Sequence, residues 1–287
     1  PVSTLCRFDR ETLAIRFMPY RKYVYAQKQQ TSMNITDYNK NVWNRYVKNK
    51  VRWTIPVSKN EIENARKGYW KIVLTPTKPV PQNWFPDLKG LKILGLASGG
   101  GQQGPILAAL GADVTIFDNS ENQLNQDREL SNEYNLNIKT IQGDMKNLSV
   151  FADKSFDLVF NPCSIVFVDN LSPVWNECYR ILKTDGVLMT GLINPVIYQL
   201  EQDKEPFELI YKQPYSDVNS LPKNKLNELI KNQETLEFGH SLTEQIGGQL
   251  SAGFLMTDFY EDNWNGEKVI DTYLPSFFAT RAIKKDH

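Results

Sequence analysis

Gly99, Gly100 and Gly101 stand between two short apolar runs, and Asp118 closes the second run. A turn without side chains lets a ligand lie against bare amides at the positive end of the following helix. A carboxylate at the carboxyl end of the neighbouring strand can accept hydrogen bonds from both hydroxyls of a ribose. Holding a nucleoside is therefore the chemistry within reach of these residues.

The flanks supply the elements that must position them. Ile93, Leu94 and Leu96 predict a strand buried on both faces, and Val114, Ile116 and Phe117 predict its parallel neighbour. Gln102 to Leu110 has the length of a crossover helix, which Gly111 ends as a C-terminal cap. The spacing alone leaves two nucleosides open. Gly99, Gly101 and Gly104 satisfy G-x-G-x-x-G with Asp118 about twenty residues beyond the loop, the pattern of a dinucleotide site for NAD(P). The same stretch also resembles the first motif of class I S-adenosylmethionine-dependent methyltransferases.

Four downstream segments carry that resemblance further. Asp118-Asn119-Ser120-Glu121-Asn122-Gln123-Leu124 is similar to the second-strand motif, with Ser120 a natural N-cap and Gln123 its capping-box partner. Ile141-Gln142-Gly143-Asp144-Met145 is similar to the third-strand motif, and residues 152–161, ending in Asn161, to the fourth strand and its entry turn. Residues 177–188 resemble the helix, turn and fifth strand of the quinone-biosynthesis branch. The loop sequence Ala97-Ser98-Gly99-Gly100-Gly101-Gln102-Gln103 is closest to a bacterial group of small-molecule methyltransferases.

The resemblance implies an α/β, Rossmann-like class I methyltransferase fold. Its parts are a mostly parallel sheet with an antiparallel terminal strand, an N-terminal helical lid, and an insertion before the last strands. It implies S-adenosyl-L-methionine as cofactor, held by Ala97, Ser98, Gly99, Gly100, Gly101, Asp118, Asn119, Gly143, Asp144, Met145 and Asn161. Among these, Asp118 would take the ribose and Asp144 the adenine amino group. Asn161 would either orient the acceptor or cap the turn before Pro162. Two positions depart from the pattern: Gly95 stands where family members often carry an acid, and Ala97 where they carry the first loop glycine. One charge-assisted hydrogen bond to the methionyl amino group is thereby lost.

Composition narrows the class of function. With 33 basic and 33 acidic residues the net charge is zero, so long-range attraction to nucleic acid is not expected. No apolar run approaches membrane-spanning length and no secretory pattern is present, which predicts a cytoplasmic enzyme; a small-molecule methyl acceptor is what the resemblance implies. Cys6, Cys163 and Cys178 lack C-x-x-C spacing and read as reduced thiols, with no metal site. Residues 1–32 carry Arg7, Arg10, Arg16, Arg21, Lys22 and Lys28 against Asp9 and Glu11. They read as an extension ahead of a natural start at Met33, the alternative being a basic arm for a partner.

Residues 33–88 are expected to form the lid and its connector, and 89–287 the core, with an inserted substrate-covering segment at about 196–265. Within the lid, Ser58 to Lys67 predicts a short capped helix and Thr75 to Pro81 an extended connector. Tyr38, Trp43, Trp53 and Trp70 are either cleft-lining aromatics or packing for the lid. Tyr273 to Ile283 predicts the closing strand. The insertion carries Tyr198, Phe207, Tyr211, Tyr215, Phe238, His240, Phe254 and Trp264, suited to a substrate pocket or to a packed subdomain.

Methyl transfer from a sulfonium is an in-line displacement that needs alignment and exclusion of water. An oxygen or nitrogen acceptor must also lose a proton. His240 is the candidate base because its unperturbed pKa lies near neutrality, the alternative being a histidine bonded within the insertion. The other functional readings are an NAD(P)-dependent Rossmann enzyme and a non-catalytic S-adenosylmethionine-binding protein.

Overall fold

A computed structural model describes residues 33–201 and 205–285. The sequence reading of residues 1–32, Cys6 included, lies outside the described residues.

The chain alternates strands and helices through β1 (Lys92–Leu96), α3 (Gln103–Ala109), β2 (Asp113–Asp118), α4 (Glu121–Tyr134), β3 (Ile138–Gln142), β4 (Phe156–Asn161), α5 (Ser172–Ile181) and β5 (Leu182–Ile193). Two helices precede them, α1 (Ile35–Lys48) and α2 (Lys59–Arg66). The strands form a seven-stranded sheet in the order β3-β2-β1-β4-β5-β9-β8, where β8 is Phe254–Asp262 and β9 is Phe277–Lys284. The first five are parallel, and β9 runs antiparallel to both β5 and β8. Adjacent strand residues point to opposite faces, so Ile93, Val114, Ile116 and Leu158 enter one core with Ile62, Leu107, Leu124 and Leu130 from α2, α3 and α4. Leu94, Phe117, Val159 and Leu188 enter the other with Trp175 and Cys178 from α5.

The switch of strand order between β1 and β4 opens a crevice at the carboxyl ends of the strands, the place where ligands bind in open α/β sheets. Local signals fix the elements around it. Ser120 accepts from Gln123 N at 3.2 Å, but the reciprocal half of the expected box is taken by Asp118, whose Oδ1 accepts from Ser120 N at 2.8 Å. Ser58 and Glu61 form a complete capping box on α2. The connector carries an antiparallel bridge from Val73 to Pro79, and Asp262 at the end of β8 straps it down by accepting from Thr77 N and Lys78 N, each at 2.9 Å.

The inserted segment is shorter than expected. Residues 254–262, placed within it by their sequence, form β8 of the main sheet, so the insertion proper runs from 194 to 253. It contains a small hairpin of β6 (Tyr215–Ser216) and β7 (Phe238–Gly239) bracketing α6 (Asp217–Ser220) and α7 (Lys223–Asn232), and then α8 (Gly248–Ser251). Gln245 ties it to the sheet by donating to Ile193 O at 3.0 Å and to His240 O at 2.6 Å. No described helix is long and apolar enough to cross a membrane.

Candidate active site

The glycine loop leaves β1 through Ala97, whose φ of 47° places an L-residue in the left-handed region. Two carboxylates hold the loop. Asp118 Oδ2 accepts from Gly99 N at 3.0 Å, and Asp127 Oδ2, from α4, accepts from Gly100 N at 2.9 Å. Burial pushes both acids up; Asp127 reaches about 7, while hydrogen bonds from Ser120 and Gly99 oppose the rise at Asp118.

Close approaches explain the departures in the loop. A Cβ at Gly95 would stand 2.3 Å from Ser98 Oγ and 2.6 Å from Ile116 Cδ1, so Ser98 occupies the space an acid would need. The Ser98 hydroxyl is buried with no hydrogen-bond partner among the described residues. A Cβ at Gly143 would meet Phe117 Cζ at 2.1 Å, which leaves bare backbone there too.

These groups line a cleft of about 990 Å³. Ala97, Ser98, Gly99, Asp118, Asn119, Gly143, Asp144 and Met145 are on its wall. Gly100, Gly101 and Asn161 are not. Gly101 faces Leu130 and Pro56 instead. Asn161 is fully buried, donating to Leu96 O and Ser164 Oγ at 2.8 Å and accepting from Thr190 Oγ1 at 2.9 Å, so it clips β1, β4 and β5 together.

The lid closes one side. Asn119 Nδ2 donates to Thr36 O at 2.9 Å, and Asn44 Oδ1 accepts from Ser120 Oγ at 2.8 Å and Asn122 N at 3.0 Å, which seats α1 on the start of α4. Trp43 and Trp53 line the cleft. Tyr38 and Trp70 pack the lid, Tyr38 donating to Glu234 O at 2.9 Å and Trp70 meeting Phe85 edge-on at 5.1 Å.

Beyond the lid, Glu237 of the insertion reaches the cleft together with Cys163 after β4, Trp264 after β8 and Phe277 of β9. Tyr198, Tyr211 and Tyr215 pack on one another behind it, with ring centroids 5.2 and 5.5 Å apart. Phe207 pairs with Tyr273 and Phe254 with Tyr179, outside the cleft lining. His240 is also outside that lining. Its Nε2 lies 3.2 Å from Ile165 O and 2.9 Å from Val168 O, a donor's position against two carbonyls, and burial lowers its pKa. These bonds fix the ring to the turn after β4. His240 is thus the bonded histidine of the two alternatives.

Sequence reasoning missed Asp127 and Glu237. Asp127 had a signal: it shares the buried stripe of α4 with Leu124 and Leu130, where a lone carboxylate needs a partner. Glu237 had none, because tertiary folding alone brings it to the cleft. No cluster of potential metal ligands occurs among the described residues.

Strand order, glycine loop and acidic second strand together define a nucleoside-dependent transferase fold with an antiparallel closing pair. A family model described as "Methyltransferase domain" matches residues 94–190. The chain is 50% identical over 250 residues to an uncharacterized methyltransferase, YbaJ, of Bacillus subtilis, covering 86% of this chain and 97% of that one. It is 30% identical over 111 residues to a ubiquinone biosynthesis O-methyltransferase of Glaesserella parasuis, covering 37% of this chain and 47% of that one. In fold it is similar to the crystal structure of an S-adenosylmethionine-dependent methyltransferase from Mesorhizobium loti, with a TM-score of 0.56 at 16% identity, covering 71% of this chain and 95% of that one. The chain belongs to the class I S-adenosylmethionine-dependent methyltransferases. S-adenosylmethionine is its cofactor, and the dinucleotide and non-catalytic readings give way to this one.

Proposed function

We propose that the enzyme transfers a methyl group in line to a small molecule enclosed in the same cleft as the cofactor. The observation that carries this reading is the continuity of one cavity of about 990 Å³ from the glycine loop to the aromatic walls formed by Trp43, Trp53, Trp264 and Phe277. That size lies at the upper end for small-molecule sites, with room for a nucleoside and a second compound side by side.

The residues present fit the cofactor. Each Asp118 oxygen keeps a lone pair beyond its amide bond for a ribose hydroxyl. Bare backbone at Gly99 and Gly143 would admit the nucleoside closely, and on this reading Asp144 would meet the adenine amino group and Met145 would line the ring. The unpartnered Ser98 hydroxyl takes the methionyl end, in the space left by the absent acid. Charged residues on the wall are Glu61, Asp118, Asp144 and Glu237 against Arg52 and Lys71, and Arg52 is paired with Glu267 at 2.8 Å. An acidic lining suits a sulfonium and an ammonium and disfavours a diphosphate.

Bound S-adenosylmethionine supplies a methyl carbon whose bond to sulfur breaks with its electron pair going to sulfur. The protein aligns that carbon with the acceptor and excludes water. Calorimetry with S-adenosylmethionine, its demethylated product and NAD tests the cofactor site, with binding expected for the first two only. Turnover is tested by release of demethylated product on adding a low-molecular-weight cell extract. Activity confined to the macromolecular fraction would overturn the small-molecule reading.

A further inference from the structure

We infer that Glu237 is the catalytic base and that the acceptor is an aromatic molecule carrying an ionisable hydroxyl. This inference rests on the function proposed above. Glu237 lines the cleft from the insertion, immediately before β7. Its Oε2 accepts from Tyr198 Oη at 2.7 Å, while Oε1 has no hydrogen-bond partner among the described residues. The backbone holds the side chain in place, because Glu237 N donates to Asp217 Oδ2 at 2.7 Å and Asp217 Oδ1 in turn accepts from Tyr215 Oη at 2.7 Å. A carboxylate on the wall of an aromatic-lined cleft, with one oxygen anchored and the other unpaired among the described residues, is built to accept a hydrogen bond from a neutral guest.

Protonation fits the task. Burial is the main cause that lifts Glu237 to about 7, helped by the nearby Asp217 charge and opposed by the Tyr198 hydrogen bond. Tyr198, raised well above its ordinary value chiefly by burial, stays a donor. Among the described residues the titratable groups acting on Glu237 are therefore Tyr198, Asp217 and Tyr215, none of them a cation. A base with a pKa near the working pH is the efficient one. An acceptor that arrived as an ammonium would have no proton-free lone pair to offer. A phenol-type hydroxyl loses its proton to Glu237 Oε1 as its oxygen lone pair forms the new bond to the methyl carbon. The electrons of the broken carbon–sulfur bond stay on sulfur, and the proton leaves Glu237 to water after product release.

The test uses the intact enzyme with catechol and 2-naphthol as turnover probes and 4-nitrophenol as an optical probe. Calorimetry with S-adenosylmethionine comes first, so that failure of the cofactor site is seen separately from failure of the base. E237Q is expected to keep cofactor affinity within about twofold and a cooperative melt, yet to lose between 10² and 10⁴ in kcat. Y198F is expected to keep turnover at high pH while its acidic limb moves to higher pH, because the lost hydrogen bond had favoured the carboxylate. With demethylated cofactor bound, 4-nitrophenol in the E237Q site should ionise at lower pH than in the wild-type site, where the carboxylate opposes a second negative charge. Full turnover by E237Q, or identical dye ionisation in the two proteins, would overturn the base. Absence of binding and methylation of all three phenols, or methylation of aniline and benzylamine in their place, would overturn the acceptor class.

Discussion

Asp118 fastens Gly99 and Ser120 through their amides, and on the proposed reading its remaining lone pairs would take the cofactor ribose. Asp118→Ala is expected to weaken S-adenosylmethionine by about 1.5 to 3 kcal/mol, the range for a hydrogen bond involving a charged group, as read by calorimetry. Ala97 offers the opposite case. Its left-handed backbone costs an L-residue about 1 to 2 kcal/mol that glycine escapes, so Ala97→Gly should raise the denaturation midpoint with no loss of cofactor affinity. Both residues were legible because the loop and its acid lie within one strand-helix-strand unit. Glu237 was not, since it reaches the cleft from more than a hundred residues beyond the loop, whereas Trp264, a candidate pocket aromatic, does line the cleft. His240 shows the limit of inference from side-chain chemistry alone: a suitable intrinsic pKa says nothing of which carbonyls a ring will meet.

Among the elements, α1 links the two halves of the cleft. Asn44 joins it to the start of α4, and Asn39 exchanges hydrogen bonds with Leu236, donating to its carbonyl and accepting from its amide at 2.8 Å each. Leu236 directly precedes Glu237. Asn39→Ala leaves both backbone groups of a buried residue unpaired and should cost about 1 to 3 kcal/mol of stability. Hydrogen exchange should show faster opening at 234–239 in that variant than in α5, and equal rates would deny the coupling. The sheet was legible for its buried parallel strands, whose apolar runs are continuous. β8 escaped because it is an edge strand with exposed Leu255 and Phe259, and a register shift between Met256 and Asp258 breaks the alternation that would mark it.

For the molecule as a whole, Asp127 and Glu237 place a pH dependence on folding. Both are raised by burial from near 4 to about 7, so in the window from roughly pH 4.5 to 7 the folded state binds more protons than the unfolded one. Their contribution to stability therefore falls as pH rises through that window, while His240, lowered by burial, contributes with the opposite sign. Denaturant titrations should show Asp127→Asn gaining stability relative to the wild type as pH rises from 5 to 8, by about 2 to 4 kcal/mol. The same difference between the two proteins at both pH values would show that this acid ionises readily in the fold. The base of the cleft has a different consequence. At Gly191 on β5 an added Cβ would stand 2.0 Å from Leu74 O and 2.9 Å from Cys163 N, so the connector lies pressed on the sheet with main chain against main chain. Such a floor has a shape no point substitution can re-sculpt without prying the layers apart. Changes of acceptor preference within this lineage must then arise in the side walls, and exchanging those walls between relatives is the practical route to redesigning what the enzyme methylates.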